Sequence, residues 1–286
     1  MNGNGSLTNR RPTFLGIGAA RSATTWLHTM LKRHSGIYLP PVKEIHYFDR
    51  SPQYASPNLA DREKCRWWLR VRNDYLETTD EVARCWYSNY LFSDYDDQWY
   101  VSLFENAEEG LPCGEITPAY SMLEVPDVRE VHSINPEIKI IFQIRNPVER
   151  AWSGLLHSLK IQGKNLDEMD ETFIKKELTS TGSRARTNYL RTIENWTSVF
   201  PESQMMIVYY EEVINDPENL IRKIVKFIGG DEHPDCSNLM YKKLNSSPGT
   251  VFPAEYKKIL RCLYAEQLQD LHAKLDTQIT KTWLLE

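Results

Sequence analysis

Thr13-Phe14-Leu15-Gly16-Ile17-Gly18-Ala19-Ala20-Arg21-Ser22-Ala23-Thr24-Thr25-Trp26-Leu27 is the stretch on which the fold turns. Thr13 to Gly18 is a short apolar run of strand length. Thr24 to Arg33 follows it with Trp26, Leu27, Met30 and Leu31 on one helical stripe. Between the two lies a turn of small and hydroxyl-bearing residues with a single arginine. The first amides of a helix have no acceptor inside it, and the helix dipole favours negative charge there, so such a junction is an anion site on physical grounds. Small side chains let a phosphate reach the backbone. Ser22, Thr24 and Thr25 add hydroxyl donors, and Arg21 adds fixed positive charge. The turn lacks the second glycine and the lysine of the Walker loop, G-x-x-x-x-G-K-[ST]. Alone, it reads equally well as a compact turn with a solvated arginine.

Further along, the same alternation returns. Ile138 to Ile144 is an apolar strand that runs into Arg145, and Asn146-Pro147-Val148-Glu149 then opens a helix with asparagine at the cap and proline at the first helical position. Met205 to Tyr210 reads as a third strand, Asp216-Pro217 starts another helix that ends at Gly229-Gly230, and Pro253 to Leu275 is a long amphipathic helix. Strands alternating with helices predict an α/β fold, a single domain with a mainly parallel central sheet flanked by helices. The predicted organisation is a flexible N-terminal tail over residues 1–11 and one domain over residues 12–286. Residues 61–97 are helical, aromatic and irregular, as an insertion over a site would be.

Composition narrows the function. A formal net charge of −5 over 286 residues argues against a nucleic-acid partner. The cysteines Cys65, Cys85, Cys113, Cys236 and Cys262 are scattered, with no C-x-x-C pair, so neither a zinc site nor a disulfide framework is expected. No apolar run approaches the roughly 18 residues of a membrane span, and residues 1–11 lack the apolar core of a signal peptide. The expected setting is cytoplasmic, with no membrane partner. Oligomeric state is not legible.

The turn at Gly16 to Trp26 resembles the 5′-phosphosulfate loop of sulfotransferases that use 3′-phosphoadenosine 5′-phosphosulfate (PAPS), G-x-x-[RK]-[ST]-[GA]-T-[TS]-W-L, with Ala23 where many members have glycine. Arg145 to Ser153 is similar to the family's 3′-phosphate motif, R-[DN]-P-x-x-R-x-x-S. Tyr189 to Trp196, Phe200-Pro201, Tyr210-Glu211 and Phe227-Ile228-Gly229 resemble later landmarks in the family's order, closest to the bacterial group related to heparan-type enzymes. The resemblance implies the P-loop-like sulfotransferase fold. It also implies nucleotide contacts from Arg21, Ser22, Ala23, Thr24, Thr25, Trp26, Arg145, Ser153 and Tyr189. Leu244 to Pro248, with Ser246 and Ser247, resembles weakly the segment that closes over the nucleotide. The implied product is adenosine 3′,5′-bisphosphate, and no metal is expected.

For the proton acceptor, Lys43-Glu44-Ile45-His46-Tyr47-Phe48 resembles the K-E-x-H-[FY]-F stretch in which the glutamate is the base and the histidine assists. If this segment is extended, Glu44 and His46 share one side and Lys43 takes the other. Catalytic roles are therefore expected for Arg21, Glu44 and His46, with Arg21 acting by charge and position because its guanidinium does not release a proton. Gly114 to Tyr120 resembles the acceptor-side turn G-E-K-[ST]-P-x-Y, which assigns acceptor contacts to Lys43, Glu115, Thr117 and Tyr120. Ile116 stands where heparan-type members carry lysine. That loss of a cation, the net negative charge and the acidic stretch Asp94 to Asp97 favour a small neutral or cationic acceptor, as in natural-product tailoring. The competing readings are a nucleotide kinase, which would need a lysine absent from the loop, and a non-catalytic nucleotide-binding protein.

Overall fold

The computed structural model describes residues 10–54, 66–231 and 251–286. Its sheet has four parallel strands in the order β2-β1-β3-β4: β1 Phe14–Gly18, β2 Gly114–Ile116, β3 Lys139–Ile144 and β4 Met205–Tyr209. Helix α1 (Thr24–Arg33) follows β1. The connection from β2 through α5 (Val125–Ile134) then carries the chain past β1 to β3 on its far side. The strand order thus reverses between β1 and β3, and in open α/β sheets the crevice at the carboxyl ends of such a pair is where ligands bind.

Both faces of the sheet are covered, which is why its strands are apolar runs rather than alternating ones. Phe14, Ile116, Ile141 and Val208 face one core, packed with Trp26 and Leu27 of α1 and with α11 (Pro217–Phe227). Leu15, Ile17, Ile140, Phe142 and Ile144 face the other, shared with α5, α6 (Pro147–Ile161), α9 (Tyr189–Thr197) and α12 (Ala254–Leu275). Helices α2 (Arg66–Glu77), α3 (Glu81–Phe92) and α4 (Asp97–Ser102) follow, so the helical insertion expected over residues 61–97 runs on to Ser102, and Trp86, Tyr90, Trp99 and Tyr100 join this second core. Between α6 and α9 lie α7 (Glu171–Leu178) and α8 (Thr181–Ala185).

Several boundaries differ from expectation. Arg10 and Arg11, assigned to the tail, are pinned: Arg10 donates to Ala107 and Leu111 carbonyls and Arg11 to that of Ile134. The turn expected at Gly114 begins as β2, an edge strand of three residues. β4 stops at Tyr209, and Tyr210 already starts a short helix, α10 (Tyr210–Asn215), because Glu212 reaches back to the Tyr209 amide. A last helix, α13 (Gln278–Leu285), was not anticipated. Among the described residues no helix is long and apolar enough to cross a membrane.

Gly114 exists for close approach. It pairs with Phe14 across the β1–β2 register, and a Cβ there would lie 2.2 Å from the Phe14 carbonyl oxygen. Backbone cannot retreat as a side chain can, so Gly114→Ala should destabilise the fold by about 1–3 kcal/mol. A denaturant melt with an unchanged midpoint would contradict this reading of the edge.

Candidate active site

β1 ends at Gly18, whose φ of 127° and whose position 2.6 Å (Cβ to oxygen) from the Pro118 carbonyl admit only glycine. The chain then turns hard against β3. Ala19 donates its amide to the Gln143 carbonyl at 2.5 Å, and Arg21 and Ala23 take left-handed φ values of 74° and 66°. Ala23 caps α1 without a side-chain oxygen, so the cap residue itself does not compete with an anion for the helix start. Trp26 packs downward into the core and leaves only its backbone at the loop.

The two distant motifs meet here. Arg21 Nε donates to Ser153 Oγ of α6 at 3.1 Å. Arg145 leaves the end of β3 with its guanidinium 4.4 Å above the Tyr210 ring and pairs with Glu149 at 3.1 Å. Glu149 therefore answers Arg145 rather than closing a capping box, and Asn146 Oδ1 caps α6 by accepting from Val148 N at 3.0 Å. Arg150 is buried, donates to Ser183 O and Oγ at 3.3 Å, and has no partner for its Nε.

Burial pushes the Arg21 guanidinium below its ordinary pKa, and the charges of Arg145 and Arg150 push it further. Arg150 is lowered first by burial, and Arg186 and Arg145 add repulsion. Arginine still stays charged. The shifts therefore report guanidinium groups crowded together, with Glu149 on one of them and Glu211 in range of Arg145. Beside them the buried hydroxyls of Ser22 and Tyr189 face one another without a well-formed hydrogen bond. Thr24 is buried, and Thr25 lies half-buried on the same turn.

The second cluster corrects an expectation. Residues 43–48 are not extended: Glu44 and His46 have φ of 67° and 58°, the left-handed region that side chains seldom adopt. Lys43 consequently lies with Glu44, donating to Oε1 at 2.5 Å, rather than on the opposite side. His46 Nε2 is 3.5 Å from Glu44 Oε2, and its Nδ1 donates to Asp49 Oδ2 at 2.8 Å. Asp49 is fully buried. Burial works against the His46 imidazolium, but hydrogen bonds and charge from Asp49 and Glu44 outweigh it and hold its pKa well above the histidine range. For Glu44, burial raises the pKa, and His46 and Lys43 together bring it well below the carboxylate range. The loop thus carries an ionised Glu44 beside a protonated His46 at neutral pH.

Glu115, Thr117 and Tyr120 are 2%, 0% and 0% exposed. Their polar atoms bond to one another and to the 44–48 loop, so they lie beneath that loop rather than on an open face. Ile116 is buried toward α1 and supplies no cation to the cleft. The acidic stretch is partly structural: Asp96 caps α4 through Trp99 N, and Asp97 accepts from the Tyr47 hydroxyl at 2.7 Å. Ser246 and Ser247 lie outside the described residues.

Three residues escaped the sequence reading. Asp49 stands three positions after His46, and Arg150 stands inside the Arg145–Ser153 run. His157 follows Ser153 by one helical turn, and its pKa is lowered by burial and by Arg21, with Glu44 opposing, which puts it within range of both clusters.

Several known proteins are similar to this chain. Mouse heparan sulfate glucosamine 3-O-sulfotransferase 6 is 29% identical over 136 residues, 46% of this chain and 39% of that protein. Mouse heparan sulfate glucosamine 3-O-sulfotransferase 5 is 24% identical over 234 residues, 78% of this chain and 54% of its own length. The chain therefore spans less than two thirds of either relative. A sulfotransferase from Alicyclobacillus acidocaldarius superposes with a TM-score of 0.64 at 21% identity, over 96% of this chain and 98% of that one. The sulfotransferase domain from the curacin biosynthetic pathway does so at 0.52 and 16%, over 89% and 98%. These structures show a shared fold. The sequence profile of the sulfotransferase family matches residues 12–235, a span that holds the strand-end arginines and the Glu44–His46 loop, and the chain belongs to that family.

Proposed function

We propose that the chain transfers a sulfuryl group from PAPS to a hydroxyl or amine of a small acceptor. The observation that carries this reading is the convergence of Arg21, Arg145 and Arg150 at the β1–β3 strand ends, where Arg21 donates to Ser153 and His157 lies in range of both Arg21 and Glu44. Buried donors without good partners, Arg150 Nε and the Ser22 and Tyr189 hydroxyls, fit the oxygens of a phosphate. In this reading Arg145 and Ser153 hold the 3′-phosphate, and the turn from Arg21 to Trp26 takes the 5′-phosphosulfate.

PAPS, when bound, supplies an electrophilic sulfur and a phosphate leaving group. Arg21 stabilises the charge that grows on the departing 5′-phosphate oxygen. Glu44 receives the acceptor proton as the acceptor oxygen or nitrogen bonds to sulfur, and His46, held protonated by Asp49, orients Glu44. A carboxylate with a depressed pKa is a weak base, so its proton arrives late, once the new bond to sulfur has acidified the acceptor. Natural-product tailoring is the setting we favour for the acceptor. Support comes from the missing cation at Ile116 and from the curacin-pathway neighbour.

Arg145→Ala should weaken adenosine 3′,5′-bisphosphate by about 10- to 10²-fold, the worth of one charged hydrogen-bonding partner. Calorimetry giving the parental Kd would remove Arg145 from the nucleotide site. Glu44→Gln keeps shape but cannot take a proton, so kcat should fall by about 10² to 10⁴ while bisphosphate affinity holds. With a hydroxyl acceptor, parental kcat should stay flat from about pH 5.5 to 8, because Glu44 titrates below that window and His46 above it. A kinetic step at about pH 6 to 7 would instead mark an imidazole as the base.

A further inference from the structure

The Glu44–His46 turn contains two left-handed residues, a conformation that residues with a side chain seldom adopt. Strain of this kind persists only where the surroundings over-determine it. The restraint is visible on either side of His46. Ile45 N donates to Glu115 Oε2 at 3.3 Å, and Tyr47 N donates to the Tyr120 hydroxyl at 3.0 Å. The Tyr120 hydroxyl in turn donates to Glu115 Oε1 at 2.7 Å. Both peptide amides that bracket the histidine therefore end on one buried carboxylate, directly or through one hydroxyl.

Glu115 has two more donors. Thr117 Oγ1 meets Oε2 at 2.6 Å, and the Tyr100 hydroxyl meets Oε1 at 3.1 Å. All four groups on Glu115 donate, and these hydrogen bonds favour the carboxylate against burial, which pushes its pKa up. Tyr100 belongs to α4 of the insertion. The same helix reaches the loop again, since Tyr100 stacks on Tyr47 at 4.8 Å between ring centroids and Asp97 accepts from the Tyr47 hydroxyl.

We propose that Glu115 is a positioning residue through which the helical insertion holds the Glu44–His46 turn in its left-handed form, and so sets the reach of Glu44 to the acceptor. The proposal rests on the assignment of Glu44 as base. It gives the insertion a role distinct from covering the site: α4 buttresses the turn from behind. Nucleotide affinity, assigned here to Arg21, Arg145 and Ser153, is expected not to depend on this support.

The test is a kinetic cycle on the intact protein: parent, Glu115→Gln, Glu44→Gln and the double variant, with kcat at saturating PAPS and the Kd for adenosine 3′,5′-bisphosphate. The amide of Glu115→Gln cannot accept from all four donors, and displacement of a reacting group by about 1 Å is worth up to 10²-fold. Glu115→Gln should therefore lower kcat by roughly 10- to 10²-fold with Kd unchanged, and it should cost nothing further once Glu44 is Gln. An equal loss in the Glu44→Gln background, or parental kcat in Glu115→Gln, overturns the positioning role. Full turnover of Glu44→Gln alone overturns the base assignment separately. If Glu115→Gln does not fold, Tyr100→Phe, which keeps the Tyr47 stack and removes one donor, decides by the same criterion. Its kcat should drop in the parent and not in Glu44→Gln.

Discussion

Parallel pairing of β1 with β3 is the constraint on which the rest depends. The register runs Phe14 to Lys139, Leu15 to Ile140 and Gly16 to Ile141, and slips by one residue before Gly18 meets Phe142. That pairing brings two strand ends that are 126 positions apart in sequence (Gly18 and Ile144) into one crevice. The guanidinium cluster hangs from those ends: Arg21 from the turn after β1, Arg145 from the residue after β3, and Arg150, with the Ser153 hydroxyl, from the helix that Asn146 caps. Hydrophobic burial on both faces holds the strands, and the like charges at their ends are the electrostatic load the sheet carries when no anion is bound.

The Glu44–His46 turn answers a different constraint. His46 sits between two carboxylates, Glu44 and Asp49, and Glu44 sits between two cations, His46 and Lys43. These neighbours hold Glu44 ionised and His46 protonated across the neutral range. The geometry that allows this ladder is strained at the backbone and is maintained from beneath by Glu115 and Tyr120. The arginine-lined crevice is thus built on sheet topology, whereas the Glu44–His46 turn is built on a buried polar network.

That division explains what sequence revealed. The β1–α1 junction and the Asn146-Pro147 helix start were legible because apolar runs, caps and helix periodicity are local signals, and Arg21, Arg145 and Ser153 came with them. β2 was not, since three residues carry no period, and its role comes only from pairing with Phe14 to Gly16. The extended reading of Lys43 to Phe48 failed because the left-handed turn is imposed by Glu115, 71 positions from Glu44, and no local residue preference announces it. Asp49 and His157 were adjacent to recognised motifs but had no meaning until the turn and α6 placed them.

The central claim is that the strand-end arginines form a site for a nucleotide carrying phosphate on both its 3′ and 5′ oxygens. Titration calorimetry of the unaltered protein with adenosine 3′,5′-bisphosphate and with adenosine 5′-monophosphate tests it directly. The 3′-phosphate should bring at least about 10-fold tighter binding, the contribution of its charged partners. Equal affinity for the two nucleotides, or no binding of the bisphosphate, would contradict the account.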